Sequence, residues 1–222
     1  MPSVLITGAG RGIGLEFAGQ YVAAGWDVIA TLRDPAQGAA LQALGARVEL
    51  LDVRDFSAVE AFPERLGGSP LDLFIANAGM TAGRDIHSAA EAQAWSEVHA
   101  VNAVAPTLLA TRLLPSVAAA NGKMIAISSR MGSIADSSGD YLGYRASKAA
   151  LNAAWRALAL NWRRQPVTLA MLHPGWVKTD MGGPNAPLPA EESVAAMRAV
   201  IERLTPADSG AFLGHRGETI PW

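Results

Sequence analysis

Cysteine is absent from this 222-residue chain, which excludes disulfides, thiolate catalysis and metal sites built on cysteine. The histidines are few and scattered without the spacing of metal ligands: His87, His99, His173 and His215. The sequence therefore predicts no metal site. Because a chain without disulfides fits a reducing compartment, we expect a cytoplasmic location.

Long apolar runs and blocks of basic charge are also missing. No uninterrupted apolar run reaches the ~20 residues that a membrane helix needs. Residues 1–7 lack the charged segment that begins a signal peptide. The 18 basic and 20 acidic residues give a net charge of −2, with no basic cluster of the kind that binds nucleic acid. We therefore expect neither a membrane nor a nucleic-acid partner.

Short apolar runs alternate along the chain with Ala/Leu-rich amphipathic stretches. Half of the residues are hydrophobic, which is enough for a sizeable core. Because most of the short runs are apolar throughout, they predict strands that are covered on both faces. The predicted strands are 3–7, 28–32, 47–51, 71–76, 123–128 and 167–172. The predicted helices are 15–24, 35–44, 59–66, 90–119, 144–163 and 190–204.

This alternation predicts a single doubly wound α/β domain over residues 1–222, of the Rossmann type. We expect a parallel sheet of six to seven strands with helices on both faces. The densest Pro/Gly segment lies at about 174–189. A connection of that length inside a compact domain is usually functional, so we predict that this segment belongs to a binding site. A helix and a short C-terminal tail are predicted after it.

Tyr144 and Lys148 form the most informative pair in the sequence. They lie four residues apart in a helical pattern, so that both side chains lie on one helix face. A free tyrosine titrates near pH ~10, and a neighbouring lysine cation favours the phenolate. The spacing therefore predicts a phenol that exchanges protons near neutral pH. A solvated helix face with the same spacing is the alternative, and the other motifs of the chain argue against it.

A glycine-rich turn follows the first predicted strand and opens the first helix. Gly8, Gly12 and Gly14 give the spacing G-x-x-x-G-x-G, whereas Ile13 stands where the G-x-G-x-x-G pattern of the wider dinucleotide-binding class has its third glycine. Glycine allows the backbone to turn tightly and to approach a pyrophosphate closely. The free N–H groups at a helix N-terminus then bind the anion. The turn therefore predicts a dinucleotide site.

The residues after the second predicted strand should decide which dinucleotide binds. An acidic side chain there hydrogen-bonds the ribose 2′-hydroxyl of NAD(H), whereas an arginine accommodates the 2′-phosphate of NADP(H). Arg33 and Asp34 offer both charges. Arg11 of the glycine turn could reach the same phosphate. Because Arg33 comes first, we expect NADP(H) to be favoured, with NAD(H) possible through Asp34.

These motifs resemble those of the short-chain dehydrogenase/reductase family over essentially the whole chain. The turn 7–14 is similar to the family's T-G-x-x-x-G-x-G pattern. The resemblance implies a catalytic set of Asn102, Ser129, Tyr144 and Lys148. It implies cofactor contacts from Gly8, Arg11, Gly12, Ile13, Gly14, Arg33, Asp52, Val53, Asn77, Ala78, Gly79, Tyr144, Lys148, Pro174, Gly175, Val177 and Thr179.

The resemblance also implies a role for each catalytic residue. Tyr144 would donate a proton to a carbonyl oxygen during reduction, and Ser129 would polarise that carbonyl. Lys148 would favour the phenolate and hydrogen-bond the nicotinamide ribose. Asn102 would orient a water that connects Lys148 to solvent. The segment 174–189 would cover the nicotinamide and the substrate.

The choice of serine has alternatives. In the best-known branch of the family, the catalytic serine precedes the tyrosine by thirteen residues. Met131, which cannot donate a hydrogen bond, stands at that position here, and Ser129 lies fifteen residues before Tyr144. Ser129 keeps the S-x-x-G context of the family. Ser128 and Ser133 remain candidates.

A narrower resemblance, to the C-factor/sniffer group of small carbonyl-reductase-like members, rests on residues 141–152, 173–184 and 217–222. It implies an NADP(H)-linked oxidoreductase that reduces a small aldehyde or ketone to an alcohol, and the family often forms homodimers or homotetramers. Two alternatives are a cofactor-binding sensor with little turnover and an NAD-linked alcohol dehydrogenase. The intact catalytic set argues against the sensor, and Arg33 argues against the NAD-linked enzyme.

Overall fold

The computed structural model describes residues 1–81 and 85–222. Its strands are β1 (Ser3–Ile6), β2 (Asp27–Leu32), β3 (Arg47–Leu50), β4 (Leu73–Ala76), β5 (Lys123–Ile127), β6 (Thr168–His173) and β7 (Ala211–Gly214). All neighbouring strands pair in parallel, in the order β3-β2-β1-β4-β5-β6-β7. The strand order reverses direction between β1 and β4, as in other doubly wound sheets.

Helices cover both faces of this sheet. They are α1 (Gly12–Ala23), α2 (Gly38–Leu44), α3 (Phe56–Arg65), α4 (Ala89–His99), α5 (Ala105–Ala119), α6 (Leu142–Asn161) and α7 (Ala190–Arg203). One hydrophobic cluster packs α3, α5 and α6 against the sheet, and a second cluster packs α1, α2 and α7. The predicted α/β fold with a parallel sheet of six to seven strands and helices on both faces is confirmed, with seven strands.

The C-terminal residues depart from the sequence prediction. The segment predicted as a tail contains β7, which pairs with β6 at the edge of the sheet. The chain then folds back, so that the N–H of Ile220 donates to the carbonyl of Phe212 at 2.9 Å. A four-residue strand that directly follows Gly210 is too short to show a period, and its pairing with β6 is a long-range contact.

The predicted helix 90–119 is confirmed as one helical segment with an irregular turn inside it. A π-helical turn at Ala100–Val104 joins α4 to α5. The segment Ala89–Ala119 has 31 residues and contains an 18-residue window with a mean hydropathy of 1.2, which would suit a membrane span by length and composition. Half of the apolar stretch is buried inside the fold, where Leu109 and Leu113 belong to the core. These contacts identify it as a core helix.

The segments predicted to contribute to the site follow the strands at one edge of the sheet. The glycine turn follows β1, Arg33 follows β2, and the segment that begins at Pro174 follows β6. Because the strands are parallel, their carboxyl ends meet at the same edge. The fold therefore brings residues more than 160 positions apart to a common cleft.

Candidate active site

The glycine turn has the geometry of an anion-binding turn. Gly8 and Gly12 have positive φ angles of 66° and 54°. A Cβ on Gly14 would lie 2.4 Å from the Gly8 carbonyl oxygen, so that no side chain fits there. Among the described residues, no side chain caps the N-terminus of α1, whose N-cap is Arg11. The first N–H groups of α1 therefore face the cleft ready to bind a phosphate.

Asn77 ties the end of β4 to the glycine turn. Its Nδ2 donates to the carbonyls of Thr7 and Gly8, both at 3.0 Å. The Thr7 hydroxyl accepts from the N–H groups of Asn77 and Ala78, both at 3.1 Å. A Cβ on Gly8 would lie 2.8 Å from the Cα of Ala78, which shows how closely the two segments pack. The Asn77 amide thus shapes the floor of the cleft.

A cleft of about 590 Å³ runs along the carboxyl ends of the strands. The predicted cofactor residues that line it are Gly8, Arg11, Gly12, Ile13, Arg33, Asp52, Val53, Asn77, Ala78, Gly79, Tyr144, Lys148, Pro174 and Thr179. Three predicted residues do not line this cleft. Gly14 packs beneath the turn, Val177 is buried, and Gly175 lies against Leu188 and His215.

Arg54 is a residue of this cleft that the sequence analysis missed. Its Nε lies 3.0 Å from both carboxylate oxygens of Asp52, and its Nη2 donates to Asp52 Oδ2 at 2.5 Å. These hydrogen bonds lower the pKa of the Asp52 carboxyl, to which the charge of Arg33 adds a smaller effect. The available signal was its position directly after the Asp52-Val53 motif.

Arg33 and Asp34 follow β2 and are the two candidates for contact with the ribose of the cofactor. The Asp34 carboxylate accepts the N–H of Ala36 at 3.0 Å and caps the short 3₁₀ turn Pro35–Gln37. It is therefore hydrogen-bonded to its own chain. Arg33 and Asp34 are both exposed and both line the cleft. Arg11 also lines the cleft, and its Nη1 lies 2.7 Å from Asp180 Oδ2.

Lys148 and Tyr144 lie together at the inner end of the cleft. The Lys148 Nζ donates to the carbonyl of Ile127 at 2.8 Å and lies 5.8 Å from the centroid of the Tyr144 ring. Burial lowers the pKa of Lys148 to about 8. Burial also raises the pKa of Tyr144, and a hydrogen bond with Ser129 offsets part of that rise. The prediction that the lysine lowers the phenol pKa is therefore wrong for this structure, because the desolvation of the phenol outweighs other effects.

The three candidate serines have different partners. The Ser129 side chain interacts with the Tyr144 phenol and lowers its pKa, and the Ser129 hydroxyl accepts the N–H of Met131 at 3.1 Å. The Ser128 hydroxyl donates to Asn152 Oδ1 at 2.6 Å, and Ser128 also lines the cleft. The Ser133 hydroxyl accepts the N–H of Asp136 at 3.1 Å. Of the three serines, Ser129 therefore interacts with the phenol, whereas the hydroxyls of Ser128 and Ser133 bind other partners.

Asn102 lies in the π-helical turn and is buried. Its Oδ1 accepts the N–H of Met80 at 2.8 Å, and its Nδ2 donates to the Met80 carbonyl at 2.8 Å and to Ser147 Oγ at 3.0 Å. The amide therefore clamps the chain after β4 to α6. These contacts do not test the water-orienting role, which stays a prediction.

The segment 174–189 is a folded loop. Val177 pairs with Leu188, and the N–H of Lys178 donates to the Leu188 carbonyl at 2.8 Å. Ser193 Oγ donates to the Pro174 carbonyl at 2.6 Å, which anchors the loop to α7. Thr179 lies beside the glycine turn, where a Cβ on Gly12 would be 3.3 Å from its Cγ2. The loop therefore covers the N-terminus of α1, as expected for a segment that closes the cleft.

The partners of the three serines lead to a test. We expect Ser129→Ala to lower kcat about 10²–10³-fold, the usual effect of removing a hydrogen-bond donor that stabilises a developing oxyanion. Ser128→Ala and Ser133→Ala should each leave kcat close to that of the wild type, because their hydroxyls bind other partners. Steady-state kinetics with one carbonyl substrate would compare the three variants. A larger loss in Ser133→Ala than in Ser129→Ala would contradict the assignment.

Known proteins are similar to this chain in sequence and in architecture. The family model of the short chain dehydrogenases matches residues 2–187. The C-signal protein of Myxococcus xanthus is 38% identical over 170 residues, which cover 74% of this chain and 100% of that protein. An NADPH-bound carbonyl reductase from chicken fatty liver is 37% identical, with a TM-score of 0.89 and coverage of 100% of this chain and 99% of that chain.

The carbonyl reductase Sniffer of D. melanogaster is 29% identical, with a TM-score of 0.90 and full coverage of both chains. The likeness to C-signal and to Sniffer confirms the narrower resemblance predicted from residues 141–152, 173–184 and 217–222. The prediction of a short-chain oxidoreductase is confirmed as well. The motifs, the seven-stranded parallel sheet and the family match over residues 2–187 together show that the chain belongs to the short-chain dehydrogenase family.

Proposed function

We propose that the protein reduces the carbonyl group of a small aldehyde or ketone to an alcohol, with NADPH as the cofactor. The observation that carries this proposal is the interaction of Ser129 with the Tyr144 phenol beside the buried amine of Lys148. Tyr144 and Lys148 line the cleft, where Lys148 bonds the carbonyl of Ile127 at the carboxyl end of β5, and Ser129 follows that strand. A donor of protons, a polarising hydroxyl and a second titrating group are what carbonyl reduction requires.

The cleft fits a dinucleotide. Gly8 and Gly14 leave no space for a Cβ, because the turn packs closely on Ala78 and Asn77, and the first turn of α1 offers free N–H groups to a pyrophosphate. Arg11, Arg33 and Arg54 line the same cleft, in which Arg11 pairs with Asp180 and Arg54 pairs with Asp52. Bound NADPH would supply the hydride that the carbonyl carbon receives, and this chemistry belongs to the cofactor.

The side chains of Tyr144, Ser129 and Lys148 would control the transfer of a proton to the carbonyl oxygen. The raised pKa of the Tyr144 phenol keeps it protonated at neutral pH, which is the form that donates to the carbonyl oxygen. The Ser129 hydroxyl would hold the oxygen at the phenol. Lys148, with a pKa of about 8, can return a proton to the phenolate near neutral pH. The substrate gains one hydride and one proton and leaves as an alcohol.

The preference for NADPH rests on the two residues at the end of β2. A 2′-phosphate carries close to two negative charges and needs a cationic partner. Arg33 and Asp34 both line the cleft, but the Asp34 carboxylate already accepts the N–H of Ala36. Two solved structures similar to this chain, the chicken carbonyl reductase and a Burkholderia multivorans short-chain dehydrogenase/reductase, are described with NADPH or NADP bound. We infer that NADPH binds this protein more tightly than NADH.

Removal of the Arg33 guanidinium should weaken this preference. We expect Arg33→Ala to narrow the difference in binding free energy between NADPH and NADH by about 1.5–3 kcal/mol, the scale of a charged hydrogen bond. Calorimetric titration of both cofactors would measure it, with the exposed Arg163→Ala as the control. Equal or tighter binding of NADH by the wild type would show that Asp34 reads the ribose.

A panel of aldehydes, ketones and diketones, assayed with NADPH and with NADH, tests the function. We expect turnover in the reducing direction with NADPH. Cofactor binding without turnover of any carbonyl would favour the sensor. Faster alcohol oxidation with NAD would favour the alcohol dehydrogenase. The cytoplasmic location, the homodimer or homotetramer, and the absence of membrane and nucleic-acid partners stay predictions.

A further inference from the structure

Arg145 binds the segment that joins Ser129 to Tyr144. The part of this segment before α6, residues 130–141, is the active-site loop. The Arg145 side chain is only 13% exposed although it belongs to a surface helix. Its guanidinium donates to the carbonyls of Asp140 at 2.8 Å, Met131 at 3.3 Å and Asp136 at 3.5 Å. It also donates to Asp140 Oδ1 at 2.9 Å and to the Ser138 hydroxyl.

One of these contacts leads directly to the proposed catalytic serine. The peptide group of Met131 lies between Arg145 and Ser129. Its carbonyl accepts from the Arg145 guanidinium at 3.3 Å, and its N–H donates to Ser129 Oγ at 3.1 Å. The Ser129 side chain in turn interacts with the Tyr144 phenol and lowers its pKa. Two hydrogen bonds through the Met131 peptide therefore connect Arg145 of α6 to the serine that acts on the neighbouring Tyr144.

A strained residue lies at the other end of the active-site loop. Tyr141 has a φ of 53° and a ψ of 46°, the left-handed conformation that costs free energy for any residue except glycine. Such conformations persist where surrounding contacts determine them, and they cluster at functional sites. The Arg145 Nε holds the carbonyl of Asp140, the peptide group just before Tyr141. Arg145 therefore fixes the backbone at the point where the loop enters α6.

We propose that Arg145 is a positioning residue that holds the active-site loop against α6 and so fixes the Ser129 hydroxyl at the Tyr144 phenol. This inference rests on the proposed roles of those two residues. The loop is longer by two residues than the Ser–Tyr connection of the family's best-known branch. A longer connection has more conformations to restrict. A guanidinium that binds several carbonyls at once restricts them without occupying the site itself.

The test is Arg145→Ala, with three measurements. We expect kcat to fall about 10–100-fold, because small misplacements of reacting groups have effects of this size. The Kd of NADPH, measured by quenching of tryptophan fluorescence, should stay within about 2-fold of the wild-type value. Added guanidinium ion at millimolar concentration should restore part of kcat by occupying the vacated space, which a general loss of stability would not allow.

Arg156→Ala is the matched control. Arg156 lies on the same helix, and its guanidinium also donates to loop carbonyls, those of Ser209 at 3.5 Å and Gly210 at 3.2 Å. These carbonyls lie beside β7 and not in the loop between Ser129 and Tyr144. We expect Arg156→Ala to change kcat by less than about 2-fold even where its melting temperature falls. Guanidinium ion should have no effect on its kcat.

Several outcomes would overturn the proposal. These are an Arg145→Ala kcat within about 2-fold of the wild type, a parallel loss of NADPH binding, and a fall in kcat that guanidinium ion leaves unchanged. If Arg145→Ala does not fold, Arg145→Lys decides, since lysine keeps the charge and loses the planar fork. We expect that variant to lose kcat and to keep NADPH affinity. A fully active Tyr144→Phe would instead refute the proposed function, whatever Arg145 does.

Discussion

Tyr144→Phe should lower kcat about 10²–10⁴-fold and leave the affinity for NADPH largely unchanged. The substitution removes the phenol hydroxyl, which is the proposed proton donor, and keeps the ring that packs in the cleft. The raised pKa of Tyr144 means that the wild-type hydroxyl is protonated at neutral pH, ready to donate. Steady-state kinetics of carbonyl reduction, with a parallel titration of NADPH, would separate the loss of catalysis from a loss of binding.

The control is Tyr141→Phe, because Tyr141 precedes the same helix three residues earlier. A mild effect there would show that the loss belongs to the Tyr144 hydroxyl and not to any phenol near the loop. A Tyr144→Phe variant that retains a kcat near the wild-type value would end the assignment of Tyr144 as the acid.

Lys148→Met should make the protein inactive and more stable at the same time. Activity should fall about 10²–10⁴-fold in kcat/KM, since the variant lacks both the charged hydrogen bond expected at the cofactor and the group that returns the proton. Burial lowers the pKa of Lys148 from 10.5 to about 8, so that its charged form destabilises the fold at neutral pH. Lys148→Met removes this penalty but also loses the hydrogen bond to Ile127. The net effect should add about 2 kcal/mol to the free energy of unfolding at pH 7.

The difference in stability between Lys148→Met and the wild type should depend on pH. Between about pH 8 and 10.5, the folded protein binds fewer protons at Lys148 than the unfolded chain does. The full penalty therefore applies below about pH 8. As the pH rises toward 10.5 the penalty disappears, so that the free energy of unfolding of the wild type increases over that range. Lys148→Met should lack this rise.

Urea unfolding of both proteins at pH 7 and at pH 10 would measure the difference. We expect the stability gap between variant and wild type to be large at pH 7 and small at pH 10. A variant that is less stable than the wild type at pH 7 would show that the Lys148 amine stabilises the fold.

Local patterns were sufficient for most of the architecture. Short apolar runs and amphipathic stretches predicted six of the strands and the helices of the described residues. This is possible because the hydrophobic period of a strand or helix can be recognised within ten to twenty neighbouring residues. The same holds for Tyr144 with Lys148 and for the glycine turn, whose chemistry depends on spacing along the chain. Strand β7 was missed because four residues carry no period, and only β6 defines it.

The sequence by itself determined the family, the sheet with its two helix layers and the set of candidate site residues. Only the tertiary structure decided the different partners of the three candidate serines, the bond of the Asp34 carboxylate to the N–H of Ala36, and the pairing of Arg54 with Asp52. It also reversed the expected shift in the pKa of Tyr144, because desolvation depends on every group packed around the phenol. Spacing fixes which residues are near in the chain, whereas partners and burial are set by contacts between distant segments.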